Sequence, residues 1–298
     1  MLSILIPTYN YDCTSLVSDL QQQAQQAGID YEIIVADDAS PMHIYKEKNR
    51  EVNRLPHCRL IELNQNIGRA RIRNRLAEEA QYPWLLFMDA DAKVISPTYI
   101  DDYLRAMTDD IDVLCGGLCH TDTLPSPCVS LRYAYEKRAD KQRTAYYRSK
   151  HPYERFTPFN FAIRRATFLA ILFDESISEY GHEDTLFGIK LQRRAVPLRH
   201  IDNALRHMGL EPNEIFIEKT RAALRNLATM ESAMQGHSSL LKAYRLLRCM
   251  GMHRSMGRWF ARWEMRITAH LTGTRPRLHL LTLYKLGYYC QCKHGKDK

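Results

Sequence analysis

Along the first two-thirds of the chain, apolar residues gather into short runs divided by polar stretches. Leu2 to Ile6 is the first run and is stopped by Pro7. Tyr31 to Ala36 is the second, His57 to Leu63 the third, and Trp84 to Met88 the fourth. Runs of this length without strict alternation predict strands covered on both faces, as in a parallel sheet. Between them, Thr14 to Ala27 closed by Gly28, and Arg69 to Ala80, have helical character. Ser96 as a cap with Pro97 at the first helical position predicts a helix to Met107, followed by a strand over Asp112–Cys115. Further on, Glu183 to Arg194 and Glu214 to Met230 read as helices. Strand, helix and strand at these intervals predict an α/β chain with a doubly wound, mostly parallel sheet.

Each early strand ends in groups able to bind a ligand. Thr8, Tyr9 and Asn10 follow the first, Asp37-Asp38-Ala39-Ser40 the second, and Asn64 to Gly68 the third. Asp89-Ala90-Asp91 follows the fourth. In open α/β sheets the ligand crevice lies beyond the carboxyl ends of the strands, so this recurrence predicts one shared site. Asp89 and Asp91, two residues apart, would project to one side of an extended backbone. Close carboxylates repel unless a cation or hydrogen-bond donors compensate, and Mg2+ or Mn2+ favours such oxygen ligands. A solvated turn remains open for this segment alone.

Composition narrows the setting. The chain of 298 residues is 45% hydrophobic and 26% charged, ample for a large core. Its net charge of +8 is concentrated in the tail. From Leu241 to Lys298 there are thirteen Lys and Arg against Glu264 and Asp297, a net of +11, which leaves −3 for the first 240 residues. The first 240 residues are therefore not an electrostatic footprint for nucleic acid. Eight scattered cysteines predict reduced thiols in a cytosolic protein. Cys290-Gln-Cys292 with His294 reads as a frayed end before it reads as a metal site. The opening Met1–Ile6 lacks a basic n-region and is not expected to be a signal peptide. No apolar run approaches the roughly 20 residues that span a bilayer.

Taken in order, Ile4 to Asn10, Glu32 to Ser40, Asn66-Ile67-Gly68 with Arg73-Asn74, and Asp89-Ala90-Asp91 resemble the successive motifs of the family 2 glycosyltransferases. The resemblance covers about residues 1–230. It implies the GT-A fold and an inverting enzyme that uses a nucleotide-sugar, usually a UDP-sugar, with Mn2+ or Mg2+. Pro7, Thr8, Tyr9, Asn10 and Asp37 would hold the base, with Tyr9 stacking, and Asp38 would help at the base or ribose. Arg73 would reach the diphosphate. Asp89 would face the ribose or a metal-bound water, and Asp91 would bind the metal with His207 completing its shell. Asn160 matches a position near the donor sugar. Tyr180-Gly181-His182-Glu183-Asp184 matches the family's catalytic stretch, which makes Asp184 the base and Glu183 a group that orients the acceptor. His200, in a strand, is structural. Thr121 to Arg155, with its tyrosines and basic residues, corresponds to a variable region facing the acceptor, or to a polar loop.

Two domains are expected: a GT-A catalytic domain over 1–230 and a basic helical extension over 231–298. In the extension Arg254, Arg258, Arg262 and Arg266 recur every four residues beside Trp259, Phe260, Trp263 and Ile267. That pattern suits a helix at an anionic membrane interface, or a helix packed on the catalytic domain with its basic face in water. Leu278 to Tyr289 is a last apolar helix. The expected protein is cytoplasmic and peripheral on the inner membrane face, adding a sugar to a glycan or lipid-linked acceptor in surface polysaccharide synthesis. A sugar nucleotidyltransferase is the alternative enzyme, although Pro7 to Asn10 is not a glycine-rich phosphate loop. A nucleotide-binding, membrane-docked protein without catalysis is the other.

Overall fold

The computed structural model describes residues 1–177 and 181–294, so Tyr180, which opens the Tyr180-Gly181-His182-Glu183-Asp184 stretch, lies outside the described residues. The chain begins β1 (Leu2–Thr8), α1 (Thr14–Gln26), β2 (Tyr31–Asp37), α2 (His43–Arg50), β3 (Cys58–Glu62), α3 (Arg69–Glu79), β4 (Trp84–Met88) and β5 (Ala92–Lys93). It continues α4 (Tyr99–Ala106), β6 (Val113–Cys115), β7 (Leu118–Cys119), α5 (Ser130–Lys137), α6 (Ala145–Arg148), β8 (Asn160–Arg164), α7 (Arg165–Ile171) and α8 (Glu183–Arg193). Then follow β9 (Leu198–His200), β10 (Leu205–His207), α9 (Asn213–Thr229), α10 (Ser239–Cys249), α11 (His253–Leu271) and α12 (Leu278–His294).

These elements form two compact units. The first holds residues 1–120, 140–176 and 183–209 and contains every strand. Its seven-stranded sheet runs in the order β3-β2-β1-β4-β8-β6-β9. β3, β2, β1 and β4 are parallel, and β8 is antiparallel to both β4 and β6. The central strands bury nearly every side chain on both faces, which accounts for their largely apolar runs. One face packs Ile4, Ile33 and Leu86 with Leu16, Val17 and Leu20 of α1. The other packs Leu5, Ile34 and Phe87 with Ile72 and Leu76 of α3. A small second sheet, β5-β10-β7, lies beyond the first, with β10 antiparallel to β5 and parallel to β7.

Side chains claim the backbone at two helix starts, of which the second differs from the sequence reading. α1 starts at Thr14 as read, with Asp12 accepting the Thr14 N–H at its head. Ser96 accepts the Thr98 N–H, and α4 begins at Tyr99, two residues after Pro97. The helix end at Gly28 stands as expected, with φ at 65°.

Among the described residues, the second unit holds 121–139, 177, 181–182 and 210–294. The helical part therefore begins near 210, not 231. The reason is packing: Phe216 and Ile217 of α9 share one apolar cluster with Phe260, Ile267 and Leu271 of α11 and with Leu281 and Tyr284 of α12. α12 runs beyond Tyr289 with Cys290 buried, so this end is not frayed at the cysteines. Among the described residues no disulfide joins the cysteines. Among the described residues no helix is long and apolar enough to cross a membrane.

Candidate active site

The parallel register brings the ends of β1 and β2 side by side, with Thr8 across from Asp37. Beyond them the chain turns at Asn10 and Ala39, both left-handed at φ 50° and 55°. Ser40 ties the two turns together. It donates its N–H (3.0 Å) and its hydroxyl to the Asp37 carboxylate and accepts the Asn10 N–H at 2.7 Å. Asn10 accepts the Met42 N–H at 3.3 Å, and the Thr8 hydroxyl donates to the Tyr11 carbonyl. Thr8 and Asp37 are thus buried parts of the frame, and the group that this frame presents outward is Tyr9, half exposed.

Asp38 departs from its expected place at the base or ribose. Its Oδ1 accepts the Ile67 N–H at 2.7 Å and its Oδ2 accepts the Gly68 N–H at 3.0 Å, while Asn66 donates to its carbonyl. The carboxylate is buried and fastens the turn that opens α3. Burial pushes the Asp38 carboxyl above its usual range, against the two backbone donors that favour its charge.

The Asp89-Ala90-Asp91 segment is a turn, not an extended strand end. The Ala92 N–H reaches back to the Asp89 carbonyl at 3.1 Å, and the two carboxylates diverge. Asp89 meets Arg73, whose Nη2 donates to Oδ1 at 2.6 Å. Arg73 is only 2% exposed on the inward face of α3, where it also donates to the Arg69 carbonyl and lies over the Phe173 ring. The helix arginines therefore divide: Arg73 is buried, whereas Arg69, Arg71 and Arg75 face solvent.

Asp91 turns the other way, onto the second sheet. His207 sits across from Ala92 in the β5–β10 register, which sets its Nε2 3.2 Å from Asp91 Oδ2. The Met208 N–H donates to the Asp91 carbonyl at 2.8 Å. At Gly209 a Cβ would overlap the Asp91 carboxylate, so only glycine leaves room for it. Burial pushes the Asp91 carboxyl up, but the His207 contact and the charges of His207 and Arg69 hold it below the usual carboxylate range. Asp91 Oδ1 is buried and, among the described residues, meets no hydrogen-bond donor. An acceptor buried without a partner costs about 1–3 kcal/mol. A carboxylate with an open oxygen beside an imidazole nitrogen is a donor set suited to Mn2+ or Mg2+, so these residues fit the cation.

Gly181 and His182, at φ 98° and 75°, lead into α8. Glu183 is buried, with Arg69 Nη1 at 3.9 Å, and is the less accessible of the two acids. Asp184 is half-buried, and its Oδ1 accepts the Thr185 N–H at 2.6 Å.

Asn160 overturns an expectation outright. It has no exposed surface in β8 and all four side-chain hydrogen-bonding positions are filled. The Tyr99 and Tyr103 hydroxyls donate to its Oδ1, each at 2.7 Å, while its Nδ2 donates to the Gly117 and Asn203 carbonyls. It cannot also reach a donor sugar. It pins the two loops that follow β6 and β9.

Three residues in this unit carry roles that the sequence reading lacked. Gly209 makes room for Asp91. Asn74 accepts the Phe173 N–H and donates to Glu175, holding the loop after α7. Arg148, from the stretch read as variable, is buried and donates to the carbonyls of Cys115, Arg143 and Ile201. The glycine carried a faint signal in lying two residues after His207, and Asn74 one in following Arg73 within the motif; Arg148 carried none.

The family model described as Glycosyl transferase family 2 matches residues 3–172. Chondroitin synthase of Escherichia coli is 26% identical over 258 residues, or 76% of this chain, which spans only 37% of that protein's length. Among solved structures, the mannosyltransferase PcManGT from Pyrobaculum calidifontis, in complex with GDP-Man and Mn2+, aligns with 99% of this chain and 86% of its own. Its TM-score is 0.55 at 12% identity. S. aureus TarS 1-349 in complex with UDP-GlcNAc aligns with 99% of this chain and 91% of its own, with a TM-score of 0.52 at 18% identity. At these identities the likeness is one of fold.

Proposed function

The chain belongs to glycosyl transferase family 2 and has the GT-A fold, and we propose that it is an inverting glycosyltransferase moving a sugar from a UDP-sugar to a glycan or lipid-linked acceptor. The observation that carries the reading is Asp91: a carboxylate held by His207 and Gly209, with one buried oxygen open.

Tyr9 and Asn10, on the frame built by Thr8, Asp37 and Ser40, form the wall for the nucleoside, and Tyr9 offers the stacking face. Asp91 and His207 would hold Mn2+ or Mg2+. Bound there, the cation would offset charge on the diphosphate as it leaves. Arg73 supports the same turn by fixing Asp89, and Asp89 keeps its second oxygen for the ribose. Asp184 takes the proton of the acceptor hydroxyl as that oxygen bonds to the anomeric carbon and the bond to the diphosphate oxygen breaks from the opposite face. One displacement inverts the centre and needs no covalent enzyme intermediate. Glu183, buried against Arg69, positions the head of α8 and so the base beside it.

A chondroitin synthase among the relatives supports a role in cell-surface polysaccharide assembly. Eight cysteines without a disulfide support a reducing, cytoplasmic setting, and we place the acceptor at the inner membrane face. The test is sugar release and transfer from UDP-sugars with added Mn2+, comparing the wild type with Asp184→Asn and Asp91→Ala. Asp184→Asn should lose about 10²–10⁴-fold in turnover while still binding UDP. Asp91→Ala should lose metal-dependent UDP binding. Undiminished turnover in either variant removes the role given to that residue.

A further inference from the structure

α11 has an inner and an outer face of different character. Phe260, Ile267 and Leu271 face the core of the second unit. Trp259 and Trp263, read from the sequence beside Phe260 and Ile267 as one stripe, instead stand 42% and 38% exposed, and Met265 is 86% exposed. Met250 and Met252, in the turn before α11, are half exposed as well. Among the described residues, six of the seventeen exposed large apolar side chains fall between Leu246 and Met265. Scattered singly they would call for no account; gathered in one segment they do.

The charge on this face is one-sided. Arg254, Arg258 and Arg262 recur every four residues on the outer surface, and the Arg266 guanidinium lies 4.9 Å from the Trp263 ring centre. Glu264 is the only acid between Ser238 and Arg277. It turns inward to Arg221, whose Nη2 stands 2.8 Å from its Oε1. The outer arginines therefore have no carboxylate on their own helix to answer them.

We propose that this outer face of α11, with the methionine turn before it, docks on an anionic lipid bilayer, the helix lying in the plane of the interface. Tryptophans favour the headgroup level, methionines enter the acyl boundary, and arginines pair with lipid phosphates. An acidic protein groove would answer the arginines and leave the methionines in polar surroundings. Nucleic acid would answer the arginines and leave Met265 and the Met250–Met252 turn in water. A bilayer of anionic lipid answers both. The inference names the surface at which the sugar-transfer reading places its acceptor and rests on that reading for its purpose, not for its chemistry.

The experiment is flotation of the full chain with phosphatidylcholine vesicles containing about one-third phosphatidylglycerol, against phosphatidylcholine alone. Tryptophan emission is recorded alongside. The chain has three tryptophans and Trp84 is buried in β4, so a blue shift on binding reports Trp259 and Trp263. The expected result is flotation with the anionic vesicles only, with a blue shift. Arg258→Gln with Arg262→Gln should weaken binding about 25-fold, about fivefold for each arginine. Trp259→Ala with Trp263→Ala should abolish the shift and weaken binding. Trp263→Gln alone, expected to reduce the shift, serves if a double variant does not fold by circular dichroism. No flotation, undiminished binding by both double variants, or equally tight binding to double-stranded RNA would overturn the proposal. Transfer to a water-soluble acceptor, measured on the same variants, should be unchanged. A chain that floats but transfers no sugar counts against the catalytic reading and leaves the surface standing.

Discussion

Asp91 Oδ2 lies 3.2 Å from His207 Nε2, and the register of two very short strands puts it there, because His207 pairs across from Ala92. The neighbouring carboxylate, Asp89, takes part in none of this and pairs with Arg73. Two acids that look alike in sequence thus belong to different local structures.

The room for Asp91 comes from Gly209, and its loss is readable. Gly209→Ala should push the carboxylate away from His207 and reduce kcat/KM by at least about tenfold, with more Mn2+ needed for half-maximal rate. The measurement is a Mn2+ titration of transfer at fixed donor. A rate and metal requirement equal to wild type would mean that the carboxylate has space elsewhere.

Arg73 is buried and Asp89 is partly exposed, so the pair should be unequal under mutation. Asp89→Ala leaves a buried guanidinium without its counter-charge and should cost about 2–4 kcal/mol, read from urea unfolding. Arg73→Met leaves only the more exposed carboxylate unpaired and should cost less. Equal losses would place the weight of the interaction elsewhere.

For Asn160 the expected effect is on stability before activity. Asn160→Ala leaves two tyrosine hydroxyls and two carbonyls without their partner inside the sheet. Unfolding should become easier by roughly 3 kcal/mol or more. A variant of wild-type stability with a raised donor KM would instead return Asn160 to the sugar pocket.

His200 sets a window of acid sensitivity. Its Nε2–H donates to the Pro152 carbonyl and its Nδ1 accepts from Arg148, so the folded state holds the neutral ring. Burial, with the charge of Arg148, pushes the imidazole from about 6.5 down to about 4. The unfolded chain therefore binds the proton first. The stability from this group is fully present above about pH 6.5 and is lost as pH falls towards 4, by up to about 3 kcal/mol at about 1.4 kcal/mol per unit. Denaturation midpoints from pH 7 to pH 4.5 should fall more steeply in wild type than in His200→Gln. Parallel slopes would assign the acid loss to other groups.

The sheet was legible because its central strands are buried on both faces, so Leu2–Ile6, Tyr31–Ala36 and Trp84–Met88 show as apolar runs interrupted only by Ser3 and Glu32, which bond to each other. The meeting of strand ends at one edge followed from parallel order. What a polar side chain does once there was less legible. Asp38 and Asn160 lie in family-like positions, yet their partners, Ile67 and Gly68 for one and Tyr99 and Asn203 for the other, stand 29 to 61 residues away. No local pattern encodes such pairings. The start of the helical unit near 210 was hidden for a similar reason, since α9 is assigned by the side chains of α11 and α12 that it meets.

The separation of Asp91 from His207, 116 residues, also has a meaning in time. At about 5–20 residues per second, a ribosome takes roughly 6–23 seconds to travel from one to the other. During that interval the first four strands and the turns tied by Ser40 can already be assembled, while Asp91 waits without its imidazole and without the glycine that makes its room. The emerging protein can therefore form the Thr8–Asp37–Ser40 frame before Asp91 can meet His207.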